Sequence, residues 1–342
     1  MKDVYDVTII GGGPAGLFAA FYAGLREMKV KVIEAHSELG GKVRVYPEKM
    51  IWDVGGMPPV SGLSFIEQMI EQGLTFNPTV ELDQTITKMN KLDTDIFELE
   101  TDKDKKHYSR TVIMAVGGGV IDPIKLDIDN AFSYEKSNLY YHVQSIKDFK
   151  DKRVLISGGS SSAVDWANEI APIAQQVLLV YRGDNLKTHE SDISKLKANN
   201  VVSLENTEIT ALLGDKEIEE VSLRNNKTNS IKNLPVDAVL VNHGYHRQHQ
   251  LMTESGLSIE LKDDYFIKGN VLGESNIQGL YGAGDILSHE GKLHLIAGAF
   301  QDAANAVNSA KRHIEPSAER FAMVSSHNKR FTEKNKEYLY KK

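Results

Sequence analysis

Val4-Tyr5-Asp6-Val7-Thr8-Ile9-Ile10 runs directly into Gly11-Gly12-Gly13-Pro14-Ala15-Gly16, and this junction decides the fold. The opening run is rich in β-branched and aromatic side chains, which favour an extended strand. Glycines close it. Pro14 to Leu25, made largely of small residues with proline at its start, reads as a helix. Val30 to Glu34 supplies the next strand. A strand, glycine turn, helix and second strand in that order make a right-handed parallel unit. Within it the pattern G-x-G-x-x-G gives each glycine a role. Gly11 permits the tight turn, Gly13 lets the backbone approach a pyrophosphate, and Gly16 lets the helix lie close to the strand. The helix N-terminus adds N–H donors and positive partial charge for the phosphates. Glu34, ending the second strand, is placed to accept hydrogen bonds from a ribose diol. The unit predicts a dinucleotide site without saying which dinucleotide.

The same plan recurs further along the chain. Arg153-Val154-Leu155-Ile156 passes through Ser157-Gly158-Gly159 into a helix expected from about Ser162 to Ile173, and Val177-Leu178-Leu179-Val180 returns as a strand. Between the copies, residues 80–114 carry Phe97-Glu98-Leu99-Glu100 and Thr111-Val112-Ile113-Met114 around a charged turn at Asp102 to Lys106, which predicts a β-meander returning to the first sheet. A second β-rich stretch covers residues 201–241. Gly279-Leu280-Tyr281-Gly282-Ala283-Gly284-Asp285 and an Ala-rich helix from about Leu295 to Ala310 follow it. The expected fold is α/β: two Rossmann-like dinucleotide-binding domains, the second inserted into the first. Residues 1–117 and 245–342 form the first, with a C-terminal extension over 316–342, and residues 118–244 form the second. Glycine at the crossings, Gly117 and Gly244, permits one domain to rotate against the other.

A chain of 342 residues suits two cores of ordinary size, and 25% charged with 41% hydrophobic residues is the composition of a soluble globular protein. The net charge of -7 argues against general nucleic-acid binding. The complete lack of cysteine excludes disulfides, thiolate metal sites, cysteine nucleophiles and dithiol relays. Any redox chemistry must therefore rest on a bound cofactor. The N-terminus enters a strand at once, leaving no room for a secretory signal, and no apolar run has the length of a membrane span. A cytoplasmic location with no nucleic-acid or membrane partner is expected.

Gly40-Gly41-Lys42, Thr111-Val112-Ile113-Met114-Ala115-Val116-Gly117 and the Gly279 to Asp285 run resemble the successive FAD motifs of flavoprotein reductases with two dinucleotide domains. That resemblance makes the first site an FAD site and nominates Asp285 for the ribityl chain. Over nearly its full length the chain resembles bacterial thioredoxin reductases, which need a C-x-x-C pair. Without cysteine, the resemblance narrows to the thioredoxin-reductase-like ferredoxin/flavodoxin–NADP reductases. It rests on Tyr46-Pro47-Glu48-Lys49, Trp52-Asp53-Val54, Ala163-Val164-Asp165-Trp166-Ala167, His189-Glu190, Glu290-Gly291-Lys292 and the extension after Pro316. It implies FAD contacts at Gly11, Gly13, Gly16, Glu34, Gly41, Lys42, Tyr46, Ile86, Ala115, Gly117, Ile121, Gly284, Asp285 and Ser326. It also implies a homodimer, with Tyr46 stacked on one face of the flavin ring and the partner's C-terminal tail over the other. A half-buried packing tyrosine is the other reading of Tyr46. Lys42 is commonly glutamine in relatives, and Val324 stands where they often carry histidine; His327 reads either as a substitute flavin cover or, the reading preferred here, as a frayed surface histidine.

The second copy departs from the pattern. Gly158-Gly159-Ser160-Ser161-Ser162-Ala163 aligns with the branch's G-G-G-x-S-A, but Ser160 places a side chain where the backbone should come closest to the pyrophosphate. The resemblance implies NADPH contacts at Gly158, Gly159, Ser160, Ser161, Ser162, Arg182 and Lys187. The second arginine of the pair that grips the 2′-phosphate is Gly183, which offers no guanidinium fork, and Asp184 adjoins it. NADPH is the expected nucleotide, with NADH as the alternative.

The function this implies is transfer of electrons between NADPH and ferredoxin or flavodoxin through FAD, with no catalytic side-chain acid or base required. Two alternatives stand beside it: a flavin oxidoreductase using a quinone or other small acceptor, and an FAD-binding regulatory protein whose second site is degraded. Ferredoxins and flavodoxins are acidic, so a basic rim is expected to receive them. From Lys311 to Lys342 there are nine Lys or Arg against four Glu, which fits such docking and fits a plain solvated tail equally. His243, His246 and His249 have a spacing that suggests metal, but Gly244 favours a loop and no carboxylate completes a ligand set, so no metal is expected. Ser160 to Ser162 lack a nucleophile elbow and read as a helix start.

Overall fold

The protein is described here by a computed structural model covering residues 3–119, 122–246, 251 and 255–339. The chain divides into two compact units. One takes Met1–Arg44, Lys49–Ile121 and Arg247–Lys342, and the other Val45–Glu48 and Asp122–His246.

The first unit is built on a sheet in the order Thr79–Glu81, Val30–Ile33, Val4–Ile10, Lys106–Met114, Phe97–Thr101, Ile86–Lys91. The strand Lys106–Met114 carries two partners on the same edge. Its first half pairs antiparallel with Phe97–Thr101, and its second half pairs parallel with Leu280–Gly282. Its burial follows this division, alternating while the strand belongs to the meander and continuous from Thr111 onward, where Val112 to Met114 pair parallel on both edges. The helices Pro14–Leu25 and Ile296–Ile314 belong to this unit. Ile10, Ile33, Met89, Phe97, Leu99, Met114 and Tyr265 form its core on one face of the sheet.

The second unit has a parallel five-stranded sheet in the order Leu139–Tyr140, Ala238–Val241, Arg153–Ser157, Gln176–Val180, Val202–Leu204. Successive side chains on a strand point to opposite faces. Val154 and Ile156 accordingly join the core that includes Ala163, Val164 and Trp166 of the helix Ser161–Ile170. Leu155 joins the opposite core with Ile209, Val221 and Leu223 of the antiparallel ribbon Thr207–Leu213, Glu220–Asn225, Ile231–Pro235. Both faces are covered, which is why these strands read as unbroken apolar runs. The fold is α/β with two Rossmann-like units.

Three details differ from the sequence expectation. The helix expected to reach Ile173 ends at Ile170, because Pro172 has no N–H to donate to the Asn168 carbonyl, which accepts from Asn199 Nδ2 at 3.2 Å instead. The Ala-rich helix continues past Ala310 to Ile314; Lys311, Arg312 and His313 suit its negative end, and Pro316 follows. Finally, Val45–Glu48 belongs with the second unit. There Glu48 accepts hydrogen bonds from the Ser145 hydroxyl at 3.0 Å and the Ile146 N–H at 2.7 Å. Among the described residues, no helix is long and apolar enough to cross a membrane.

Candidate functional site

Three strand ends meet in the first unit. The Ala115 N–H donates to the Ile10 carbonyl at 2.8 Å, and the Ala283 N–H donates to the Met114 carbonyl at 2.9 Å. The residues immediately beyond Val4–Ile10, Lys106–Met114 and Leu280–Gly282 therefore share one edge, at the C-terminal ends of parallel strands where ligands of open α/β sheets bind. Gly11 turns there with φ of +107°, and a Cβ on it would stand 2.5 Å from the Ala115 carbonyl oxygen. A Cβ on Gly16 would stand 1.9 Å from the Gly11 carbonyl oxygen, so the helix touches the turn directly.

Gly13 caps the helix Pro14–Leu25 with no side chain to offer, and Pro14 has no N–H. The amides of the first turn are left with no intrahelical acceptor, the arrangement that receives a phosphate. Glu34 is buried at 6% exposure. Its Oε2 accepts from the Gly12 N–H at 2.6 Å and its Oε1 from the His36 N–H at 2.9 Å. Each oxygen has a second lone pair, so the carboxylate is aimed by backbone while keeping capacity for a diol. Gly41, with φ of +58°, lies back to back with Gly13, where a Cβ on Gly41 would come within 2.8 Å of the Gly13 Cα. Beside them Lys42 is exposed. Ile86 is buried in the core, and the run before it is tied to Glu34 by the Gln84 N–H, which donates to the Glu34 carbonyl at 3.1 Å. Gly117 turns with φ of +57°, and its carbonyl accepts from the Tyr265 hydroxyl at 3.4 Å. Ile121 lies outside the described residues.

Gly284, with φ of +73°, brings the third motif against the helix start, since a Cβ on it would stand 2.9 Å from Ala15 Cβ. Asp285 follows as an exposed carboxylate between the buried Gly284 and Ile286. Beneath this turn lies a group that sequence spacing did not signal. The Gly284 N–H donates to Asp302 at 3.2 Å, and Lys292 Nζ donates to the Gly284 carbonyl at 2.6 Å. Lys292 also pairs directly with Asp302, whose other oxygen meets His289 Nε2 at 3.1 Å, and all three side chains are buried.

In the second unit the helix Ser161–Ile170 is capped by Ser160 without a side-chain hydrogen bond. Gly158 is required by its surroundings, because a Cβ there would meet the Asn242 carbonyl oxygen at 2.3 Å. The loop after Gln176–Val180 is joined to this turn: the Lys187 N–H donates to the Gly159 carbonyl at 2.8 Å, and Ser161 Oγ donates to the Lys187 carbonyl at 2.9 Å. Gly158, Gly159, Ser160, Ser161 and Lys187 are thus brought together, with Ser162 in the helix's first turn and Arg182 on the same loop. His243, read as a loop histidine, meets Ser157 Oγ through Nε2 at 2.9 Å. Burial, and secondarily the Arg182 charge, push its imidazole pKa down. His246 lies in the short strand Tyr245–His246, and His249 is outside the described residues. Tyr46 packs against the second unit's core.

The tail lies along the far half of the first helix. Arg26, buried, donates to Asn308 Oδ1 and to the Glu319 carbonyl, each at 2.6 Å. The Ala322 N–H donates to the Tyr22 hydroxyl at 3.3 Å, while Arg330 donates to the Gly24 carbonyl and covers the Phe76 ring at 4.4 Å. Ser326, exposed, stands between these anchors. The glycine turn is at the other end of that helix, so the tail does not bring Ser326 beside the Gly11 and Gly13 of its own chain.

Both strand ends fit a dinucleotide: uncapped helix starts, glycines where Cβ atoms would collide, and in the first unit a carboxylate aimed by backbone donors. The model of the pyridine nucleotide-disulphide oxidoreductase family matches residues 5–310, and the chain belongs to that family. Ferredoxin–NADP reductase 1 of Oceanobacillus iheyensis is 53% identical, with 97% of this chain and 97% of the relative covered. Ferredoxin–NADP reductase 1 of Bacillus licheniformis is also 53% identical, over 99% of this chain and 98% of the relative. The chain is an oxidoreductase that groups with these ferredoxin–NADP reductases. Among solved structures, thioredoxin reductase of Lactococcus lactis superposes with a TM-score of 0.74 at 23% identity, over 91% of this chain and 99% of that one, a likeness of fold.

Proposed function

We propose that the chain is an FAD-dependent ferredoxin–NADP reductase, a cytoplasmic homodimer whose first unit holds FAD and whose second holds NADPH. The observation that carries the reading is the doubled glycine turn at the ends of parallel strands, in a chain 53% identical to ferredoxin–NADP reductases across 97% of its length. The chemistry that FAD supplies when bound is two-electron uptake from a nicotinamide and one-electron release to a carrier. The residues do the holding. Glu34 accepts the ribose hydroxyls, the amides after Pro14 receive the pyrophosphate, and Asp285 accepts from the ribityl chain. Gly41, Lys42, Ile86, Ala115, Gly117 and Gly284 shape the same edge.

With no cysteine in the chain, electrons leave for an external acceptor instead of an internal dithiol. We assign Tyr46 and the partner copy's tail, through Ser326, to the flavin ring. Phe321, Met323 and Val324, about three-fifths exposed on that tail, support a second copy as its neighbour. Ferredoxin or flavodoxin is the acceptor this reading favours, since the tail's excess of cations complements an acidic carrier.

Anaerobic NADPH should bleach the flavin absorbance of the FAD-loaded protein, and ferredoxin or flavodoxin should restore it faster than a quinone, with a rate that falls as salt is raised. No bleaching with NADPH or NADH, or equal turnover with quinones, overturns the reading. Sedimentation checks the dimer.

A further inference from the structure

The loop after the strand Gln176–Val180 is where a unit of this type meets the adenosine ribose, and where cations distinguish a 2′-phosphate from a free hydroxyl. Arg182 and Lys187 are on it, and Asp184 opposes them. Backbone bonds set the loop: the Tyr181 carbonyl accepts from the Thr207 N–H at 2.9 Å, and the Gly183 carbonyl from the Asn206 N–H at 3.1 Å. A cation from elsewhere arrives at the same place. Lys227, in the turn joining Glu220–Asn225 to Ile231–Pro235, pairs directly with Asp184. Its position is built: Asn225 Oδ1 accepts from the Lys227 N–H at 3.0 Å, and the Asn226 N–H donates to the Asn206 carbonyl at 2.7 Å.

We infer that Lys227 supplies the second cation for the 2′-phosphate of NADPH, in place of the arginine that the chain lacks at Gly183. This rests on the proposed NADPH role of the second unit. Both partners of the Lys227–Asp184 pair are 62% exposed, so the pair adds little to stability, and the loop is already held by backbone. Its consequence is electrostatic. Lys227 offsets the Asp184 charge on the loop that carries Arg182 and Lys187, and keeps further N–H donors for the ligand. Nor does the fold demand glycine at 183. The nearest atom to a Cβ there is the Asn185 carbonyl oxygen at 3.8 Å, and Gly183 does not have the left-handed φ that would strain a side chain. An arginine fits where the chain has none.

The test compares wild type, Lys227→Ala and Lys227→Ala/Gly183→Arg as FAD-loaded proteins. It reads the ratio of kcat/KM for NADPH over NADH, and separately the binding of 2′,5′-ADP and 5′-ADP by calorimetry. Lys227→Ala should lower the ratio about tenfold through KM, and weaken 2′,5′-ADP by the same factor, as loss of one charge-assisted contact does. The added arginine should restore both, and the gap should narrow as salt is raised. If Lys227→Ala binds 2′,5′-ADP as wild type does, or weakens both nucleotides equally, Lys227 is only a surface partner of Asp184. If wild type itself binds neither 2′,5′-ADP nor 5′-ADP, the proposed function falls and takes the inference with it.

Discussion

Glu34 Oε2 accepts a hydrogen bond from the Gly12 N–H at 2.6 Å, linking the end of the second strand to the glycine turn after the first. The His36 N–H, at 2.9 Å, holds the other oxygen. Two backbone donors on one buried carboxylate leave little freedom, so the acid is oriented before any ligand arrives.

Replacing that acid tests its orientation. In Glu34→Gln the amide nitrogen must face one of two N–H donors, donor against donor. Stability should drop by about 1–3 kcal/mol, read in urea unfolding of the apoprotein, and FAD should bind about 10- to 100-fold more weakly, read by flavin release.

Gly16 should tolerate nothing larger. Its Cβ would stand 1.9 Å from the Gly11 carbonyl oxygen, and backbone on both sides cannot yield cheaply. Gly16→Ala should cost about 3 kcal/mol or more, or prevent folding. Gly55→Ala is the matched control: no atom lies within 4 Å of its Cβ position, and thermal unfolding should be unchanged or slightly later.

Lys292 and Asp302 are buried, with side chains 7% and 5% exposed, and breaking such a pair from one side strands a charge. Lys292→Ala should cost about 3–5 kcal/mol, measured by urea unfolding, and should release FAD more readily because the Gly284 carbonyl loses its donor. Removing Asp302 as well should cost less than the two single changes summed, since no unpaired charge then remains.

His107 makes the first unit sensitive to acid. Its Nδ1 lies 3.0 Å from Lys31 Nζ and its Nε2 2.9 Å from Gln84 Oε1, with Glu81 and Lys105 as the other nearby charges. Burial, and then the Lys31 charge, push its pKa below the ordinary 6.5. The unfolded chain therefore binds the proton more tightly, and the linkage sign follows: stability is full above 6.5 and falls as the pH drops from there toward the depressed folded value. The urea midpoint of wild type should decline across that window more steeply than that of His107→Gln. Equal slopes would assign the decline to other groups.

The glycine turns, Glu34 and the Gly284-Asp285 motif were legible because their requirements are local. A left-handed φ, a missing Cβ and a strand-ending acid each leave a mark at a fixed offset from a strand or helix start. Helix ends were less legible: Pro172 stopped one helix before Ile173, and the basic last turn carried another past Ala310. Tyr46 and Ser326 were named by motif alone, and where their side chains sit depended on packing that motif spacing does not encode.

What the sequence by itself determined is the pair of strand, turn and helix units, their β-branched strands, and the exclusion of thiol chemistry by the lack of cysteine. The tertiary structure alone decided which distant side chains meet: Glu48 with Ser145, Lys292 with Asp302 and Gly284, Lys227 with Asp184. The physical reason is range. A turn is set by the backbone of adjacent residues, whereas an ion pair between two loops exists only after the sheets have brought them together, and no periodicity in the chain announces it.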